Sequence, residues 1–269
     1  MVTISVIMGV LCSSDRLTLL KRAVKSILEQ TYSDFELIIC GYGSSYDVIA
    51  YLNEAALSDC RIRIVNECRL TLPEKLNCCL KYANGTYIAR MDDDDFSMPY
   101  RFEKQIEFLN SHKEIAFVGS SAAVVCSGEK LGTYSFPEYP QANDFLFSQP
   151  FIHPTLMFRR EAMTAVGGYS QDKRCILCED YDILMRMYAA GLKGANIREE
   201  LLEYTVSKGL NSKRKLKHRI NECVIRFRRF RDNGLLAGHL VYVIKPIAVW
   251  LIPECLLGKI KKRRLDRKK

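Results

Sequence analysis

The chain has 269 residues, 48% of them hydrophobic and 26% charged, with 15 Gly and 8 Pro. Those proportions support a sizeable core and exclude a disordered, collagen-like or low-complexity chain. The formal net charge of +9 is unevenly spread: residues 1–212 carry 22 Lys+Arg against 27 Asp+Glu, and residues 213–269 carry 18 against 4.

Taken in chain order, Thr3 to Met8 is an apolar run of strand length closed by Gly9. From Asp15 to Gln30 the apolar residues Leu17, Leu20, Val24, Ile27 and Leu28 recur at helical spacing. Phe35–Cys40 reads as a second strand, stopped by Gly41-Tyr42-Gly43-Ser44-Ser45. A helix over Asp47–Leu57, a strand over Arg61–Val65 and a helix over Leu72–Ala83, with Pro73 in its first turn, follow. Asn84-Gly85 ends that helix, and Tyr87–Met91 is a fourth strand. This alternation predicts an α/β fold: βαβ crossovers building a mainly parallel central sheet, which binds ligands at the carboxyl ends of its strands. A helix near Arg101–Ser111, strands over Ile115–Cys126 and Lys130–Phe136, a turn at Gly167-Gly168-Tyr169 and a helix beginning near Glu179-Asp180 complete the body. The polar stretch 207–213, where the charge changes sign, is the expected boundary between a domain of residues 1–206 and a segment of residues 207–269.

The strongest chemical signal is the run Asp92-Asp93-Asp94-Asp95, directly after the fourth strand. Charge runs are ordinarily solvated surface. This one falls at the ligand edge of a buried sheet, where two carboxylates about 6 Å apart repel by roughly 3 kcal/mol at an effective dielectric near 20. A cation relieves that repulsion, and hard oxygen ligands select Mg²⁺ or Mn²⁺.

Three stretches resemble family 2 glycosyltransferases: Ile4 to Met8, Ser26 to Ile39, and Ala83 to Asp95. The similarity continues through Met98-Pro99-Tyr100-Arg101-Phe102, Gly167-Gly168-Tyr169 and Glu179-Asp180-Tyr181-Asp182, covering about residues 2–206 in order. The resemblance implies a GT-A fold, a nucleotide-sugar donor, a divalent metal and an inverting mechanism. Asp92-Asp93-Asp94 occupies the place of the family's Asp-X-Asp motif. By position, Asp94 matches the metal-binding carboxylate, with Asp92 beside it, and Asp92 and Asp93 match donor-binding positions; Gly9 lies at the donor end of the first strand. Asp180 matches the general base that deprotonates the acceptor hydroxyl. Glu179 and His153 fall on the acceptor side. An acidic residue at a helix N-terminus also serves as a cap or dipole partner, and a histidine before proline as plain loop structure.

Two departures bear on the donor. The family's first strand usually ends in Pro-Val-Tyr-Asn, where this chain has Gly9-Val10-Leu11-Cys12. The second usually ends in two acids, one of which bonds the donor's base, where this chain has Gly41-Tyr42. Tyr42 becomes the candidate to stack on a base, and the nucleotide stays open.

Eleven Cys, irregularly placed and with no basic-then-apolar leader before the first strand, are expected as buried or free thiols in a reducing cytoplasm. Cys175 and Cys178 lack the second pair that zinc requires. Over 213–231 a basic helix is expected to bury Ile220, Val224 and Phe227. The apolar stretch 234–258, with Tyr242 and Trp250, is interrupted by His239, Lys245, Pro246, Pro253 and Glu254. Flanked by basic residues, it suits a helix lying on an anionic membrane surface better than a span. A helical pair packed on the body is the alternative. Nucleic acid is not an expected partner, since the tail has no recognition motif and the body is acidic. The expected enzyme is therefore an inverting glycosyltransferase, peripheral at the inner face of the cell membrane. It would carry sugar to a glycan or lipid-linked acceptor in surface-polysaccharide synthesis. A sugar nucleotidyltransferase and a non-catalytic sugar-binding scaffold are the rivals.

Overall fold

The structure is a computed structural model that describes residues 2–11, 13–41, 45–65, 71–206 and 215–253. Strand β1 (Ile4–Val10) is buried along its whole length and pairs in parallel with β2 (Phe35–Gly41) on one side and β4 (Tyr87–Met91) on the other. β3 (Ile62–Val65) adds in parallel to β2. The crossovers are α1 (Leu17–Leu28), α2 (Tyr46–Ser58) and α3 (Leu72–Tyr82), as the alternation predicts. Thr71 and Glu74 form a capping box that starts α3, with Pro73 in the first turn.

The rest of the chain extends the same sheet. After β5 (Phe96–Ser97) and α4 (Arg101–Ser111) come β6 (Ile115–Cys126) and β7 (Glu129–Tyr134). β8 (Met157–Arg159), α5 (Arg160–Ala165), α6 (Glu179–Ala189) and β9 (Lys193–Thr205) follow. The strand order is β3-β2-β1-β4-β8-β6-β9-β5, with β7 paired to β6. β8 and β9 have no counterpart among the expected strands. β9 runs parallel to β6 and ends beside the Asp run, where Thr205 N donates to Asp95 Oδ1 at 2.8 Å.

Two side chains, the buried Gln30 and the half-buried Asn77, fix the approach to the site. Gln30, at the end of α1, donates to Met98 O (2.8 Å) and accepts from Phe102 N (3.2 Å), which holds the segment after the Asp run. Asn77 on α3 pairs with both backbone groups of Tyr169, at 2.7 and 2.9 Å. That seating follows the turn at Gly167 and Gly168, both at φ +70°, a conformation glycine adopts without steric cost.

The described helices of the basic segment pack on the body. Ile225 and Phe230 of α7 (Leu216–Asp232), Leu235 of the connection that follows and Val243 of α8 (Leu240–Leu251) are buried in the core cluster that contains Ile183, Leu184 and Met187 of α6. The expected stripe on α7 is corrected here: Ile220 and Phe227 are 47% and 45% exposed, and the inward face is Ile225, Arg226 and Phe230. The physical reason is Arg226. Its guanidinium lies 4.7 Å from the Tyr181 ring and donates to Leu146 O (3.1 Å) and Phe147 O (3.4 Å), so a charged residue turns inward. Beside it, the fully buried Asp182 receives Arg186 Nε at 2.8 Å and Arg229 Nε at 3.0 Å, locking α7 to α6.

The closest backbone approach is at Gly85, whose N donates to Ser5 Oγ at 2.7 Å. A Cβ there would lie 2.6 Å from the Ile4 carbonyl carbon and closer still to Ser5 N. Gly85→Ala is therefore expected to lower stability by about 1–3 kcal/mol, the usual range for overpacking. Denaturant midpoints of the variant and the parent chain, compared at equal slope, provide the check.

Candidate active site

Three strand ends converge at one edge of the sheet. The end of β1 delivers Gly9, Val10 and Leu11, β4 leads into Asp92, Asp93 and Asp94, and β9 delivers Tyr204 and Thr205. Together with Arg16 and Lys75 they line a cavity of about 350 Å³. Gly9 leaves room for α3: a Cβ there would sit 2.8 Å from Leu72 Cδ1. Lys75 is buried, and its Nζ donates to Val10 O at 2.6 Å.

The four aspartates are not equivalent. Asp93 accepts from Leu11 N at 2.6 Å and from Arg16 Nη2 at 2.8 Å, so it ties the β1 loop to β4. Asp94 also meets Arg16 Nη2, at 2.6 Å. Asp92 is ion-paired with Arg90, a side chain only 1% exposed. Asp95 is buried; Oδ1 is held by Thr205 N, and Oδ2 has no hydrogen-bond partner among the described residues. Carboxylate oxygens of Asp92, Asp94 and Asp95 lie within 4.8 Å of one another. Burial, and next the Asp92 charge, push the Asp94 carboxyl up to about 6, and Asp95 moves well above the ordinary carboxylate value for the same reasons. An orphaned buried oxygen and two carboxyls that resist ionisation fit a divalent cation bound by oxygen. The expected pair, Asp92 and Asp94, is brought together, and Asp95 joins them.

A second cavity of about 380 Å³ adjoins the first, sharing Leu72, Asp92 and Tyr204 with it. His153, Glu179 and Asp180 line it, as does Arg90. Asp180 sits in the first turn of α6, with Oδ1 accepting from Tyr181 N at 2.7 Å. Glu179 is 8% exposed, and burial, reinforced by Asp180, pushes its carboxyl up to about 7. His153 Nε2 is 2.8 Å from the Tyr169 hydroxyl. Burial and the Arg90 charge drive its imidazole well below the ordinary value, so it is neutral at pH 7. Tyr42, expected on the donor side, lies outside the described residues.

Arg16, Lys75, Arg90, Gln149, Tyr204 and Thr205 also line the two cavities and were not among the expected residues. Arg90 had a signal, a charged residue inside the apolar run Tyr87–Met91. Tyr204 and Thr205 had none, because β9 reaches the site by long-range pairing.

A model of glycosyl transferase family 2 matches residues 6–167. EpsE of Bacillus subtilis (strain 168) is 30% identical over 268 residues, covering 99% of this chain and 95% of its own length. The O-antigen biosynthesis glycosyltransferase WbnJ of Escherichia coli is 32% identical, covering 68% of this chain and 73% of its own. Among solved structures, S. aureus TarS 1-349 in complex with UDP-GlcNAc aligns with a TM-score of 0.69 at 14% identity, over 89% of this chain and 72% of that one. The mannosyltransferase PcManGT of Pyrobaculum calidifontis, in complex with GDP-Man and Mn²⁺, aligns at 0.59 and 15%, over 97% and 79%. The fold is of the GT-A type, and the chain belongs to glycosyl transferase family 2.

The Glu179 carboxyl gives the site a pH signature. In the folded chain its proton is held to about pH 7, whereas the unfolded chain releases it near the ordinary value of 4.5. Its contribution to stability is therefore complete below pH 4.5 and is lost as pH rises through 7. Glu179→Gln should remove that loss. Relative to the parent chain, the variant should gain on the order of a few kcal/mol between pH 4.5 and 8, read from urea midpoints in metal-free buffer.

Proposed function

We propose that the chain is an inverting glycosyltransferase that moves a sugar from a nucleotide-sugar to an acceptor hydroxyl, with Asp180 as general base. The observation that carries this reading is the pair of cavities meeting at Asp92 and Tyr204, one lined by the Asp run and the other by Asp180 and Glu179. The acceptor oxygen attacks C1 of the donor sugar, the bond from C1 to the diphosphate oxygen breaks, and the acceptor proton passes to the Asp180 carboxylate. Gly9, Asp92 and Asp93 line the donor side, while His153 and Glu179 flank the acceptor. Asp94 with Asp92 and Asp95 would hold Mn²⁺ or Mg²⁺, which supplies charge neutralisation for the departing nucleoside diphosphate. PcManGT, of the same fold, is in complex with Mn²⁺ and GDP-Man, which supports this assignment.

We further propose a glycan or lipid-linked acceptor and attachment to the inner face of the cell membrane through residues 207–269, taken as a basic segment beyond a glycosyltransferase domain of residues 1–206. No helix among the described residues is long and apolar enough to cross a membrane. α8 does present Leu240, Val241, Ile244 and Leu251 at 58–68% exposure, in a segment rich in Lys and Arg. That combination suits an anionic bilayer surface.

Two substitutions test the chemistry separately. Asp94→Asn should abolish most of the Mn²⁺-dependent binding of the nucleotide-sugar in calorimetry, with thermal unfolding of the metal-free protein retained. Asp180→Asn should keep donor affinity and lower transfer by about 10²–10⁴-fold. Equal donor affinity in the first variant, or near-normal turnover in the second, would reassign the residue concerned.

Attachment is tested on the full chain, because α7 contributes to the core. The double variant Ile244→Glu, Leu251→Glu should lose co-sedimentation with vesicles of phosphatidylglycerol and phosphatidylcholine. Binding of the parent chain should weaken in high salt and on purely zwitterionic vesicles. Equal binding by parent and variant would refute the anchor.

A further inference from the structure

One side chain outside the two cavities governs a residue inside the second. Asn77 of α3 bonds both backbone groups of Tyr169: its Nδ2 donates to Tyr169 O at 2.7 Å, and its Oδ1 accepts from Tyr169 N at 2.9 Å. The Tyr169 hydroxyl lies 2.8 Å from His153 Nε2, and His153 lines the second cavity together with Glu179 and Asp180. Neither Asn77 nor Tyr169 lines either of those cavities.

The first link calls for asparagine. A short side chain with a donor and an acceptor on one carbon closes on the N–H and the C=O of a single residue. Aspartate lacks the donor, and glutamine is a methylene longer. The turn makes room for the amide: Gly168 is at φ +70°, and a Cβ there would sit 2.7 Å from Asn77 Oδ1. From the other side Arg186 of α6 donates to Gly168 O at 2.6 Å and to Val166 O at 2.5 Å. The turn is thus anchored to α6 without Asn77, and what Asn77 adds is the placement of Tyr169.

The second link sets a proton. Tyr169 is 2% exposed, and burial holds its hydroxyl protonated, well above the ordinary tyrosine value. His153 is neutral at pH 7, so one of its ring nitrogens carries the proton. A ring donating from Nε2 would make the buried hydroxyl the acceptor and leave the hydroxyl proton unpaired, which is costly. The arrangement that satisfies both groups has Tyr169 donating to Nε2 and the ring proton on Nδ1. Nδ1 has no hydrogen-bond partner among the described residues, so its N–H is what the ring offers.

We propose that Asn77 is a positioning residue for the acceptor side: its two bonds place Tyr169, the Tyr169 hydroxyl fixes the His153 ring, and the ring presents its Nδ1–H to the second cavity as a donor for the acceptor. Asn77 touches no substrate and acts through Tyr169. The use of that donor rests on the glycosyltransferase reading, whereas the tether itself does not.

The test uses the full chain labelled with ¹⁵N-histidine, at pH 7.5 with Mg²⁺. Long-range ¹H–¹⁵N spectra read the protonation of each ring nitrogen, and His153→Gln assigns its signals among the four histidines. The parent should show His153 as one tautomer, protonated at Nδ1. Asn77→Asp, equal in size and still an acceptor for Tyr169 N, has no donor for Tyr169 O and should turn that pattern into a mixture of tautomers. Tyr169→Phe should do the same, and the double variant should add nothing further. Calorimetry with UDP and GDP should find affinities within about twofold of the parent in each variant. Asn77→Ser, which cannot make both bonds, provides the readout if Asn77→Asp fails to fold. A parent ring protonated at Nε2, an unchanged pattern in a folded Asn77 variant, or a further change when Asn77→Asp is added to Tyr169→Phe would overturn the proposal. So would a tenfold loss of nucleoside diphosphate affinity in Asn77→Asp, which would make the residue a support of the whole fold. Failure of the parent chain to bind either nucleoside diphosphate would overturn the glycosyltransferase reading and the use of the donor with it, while the ring spectra still decide the tether.

Discussion

Four consecutive carboxylates at the end of a buried strand are the constraint that the surrounding structure answers. Left alone, they repel one another, and burial with this repulsion holds the carboxyls of Asp94 and Asp95 above the ordinary carboxylate value. Each carboxylate is met by a different element. Arg90 comes from β4 itself, Leu11 N from the end of β1, Arg16 from the turn before α1, and Thr205 N from the far end of β9. Strands far apart in the chain thus meet at one point, and the first cavity is the space they enclose. What these contacts leave uncompensated, the second oxygen of Asp95 and the lowered acidities of Asp94 and Asp95, is where a divalent ion fits.

The second centre of organisation is the N-terminal half of α6. Its first turn points Glu179 and Asp180 at the cavity, and its next residues turn the other way. Tyr181 donates to Phe145 O at 3.1 Å and lies under Arg226, while Asp182 takes two arginines, one of them from α7. Breaking one partner of a buried pair leaves an uncompensated charge, so this arrangement resists piecemeal change. The basic segment therefore does two things: it covers the core beside the acid-bearing helix, and it presents an apolar face outward.

The parallel half of the sheet was legible because β1, β2 and β4 are buried on both faces and read as nearly continuous apolar runs. The Asp run was legible as the end of a strand and Asp180 as the first turn of a helix, whereas His153 stood out only through the family resemblance. β9 was not, because Arg198, Glu199 and Glu200 interrupt its hydrophobic pattern midway, and its pairing with β6 is decided by tertiary contact. α7 was misread for a different reason. Amphipathic pattern assumes that arginine faces water, whereas Arg226 is spent on carbonyls and an aromatic ring, leaving Ile220 and Phe227 outside. The division of labour among the aspartates was also beyond sequence, since it depends on which turn residue faces which donor.

One local feature has a wider reach. The carbonyl of Phe147 is grasped by both helices of the C-terminal pair, by Arg226 from α7 and Lys245 from α8, two residues ahead of Gln149 in the chain. The wall of the second cavity and the C-terminal helix pair are thereby joined through one carbonyl. In a mutational scan, substitutions at positions 226 and 245 would score with the active-site residues despite touching no substrate. Sequence drift in the outer helices would then be expected to travel together with changes in the 146–149 segment, so that the two diverge as a unit between enzymes of differing acceptor preference.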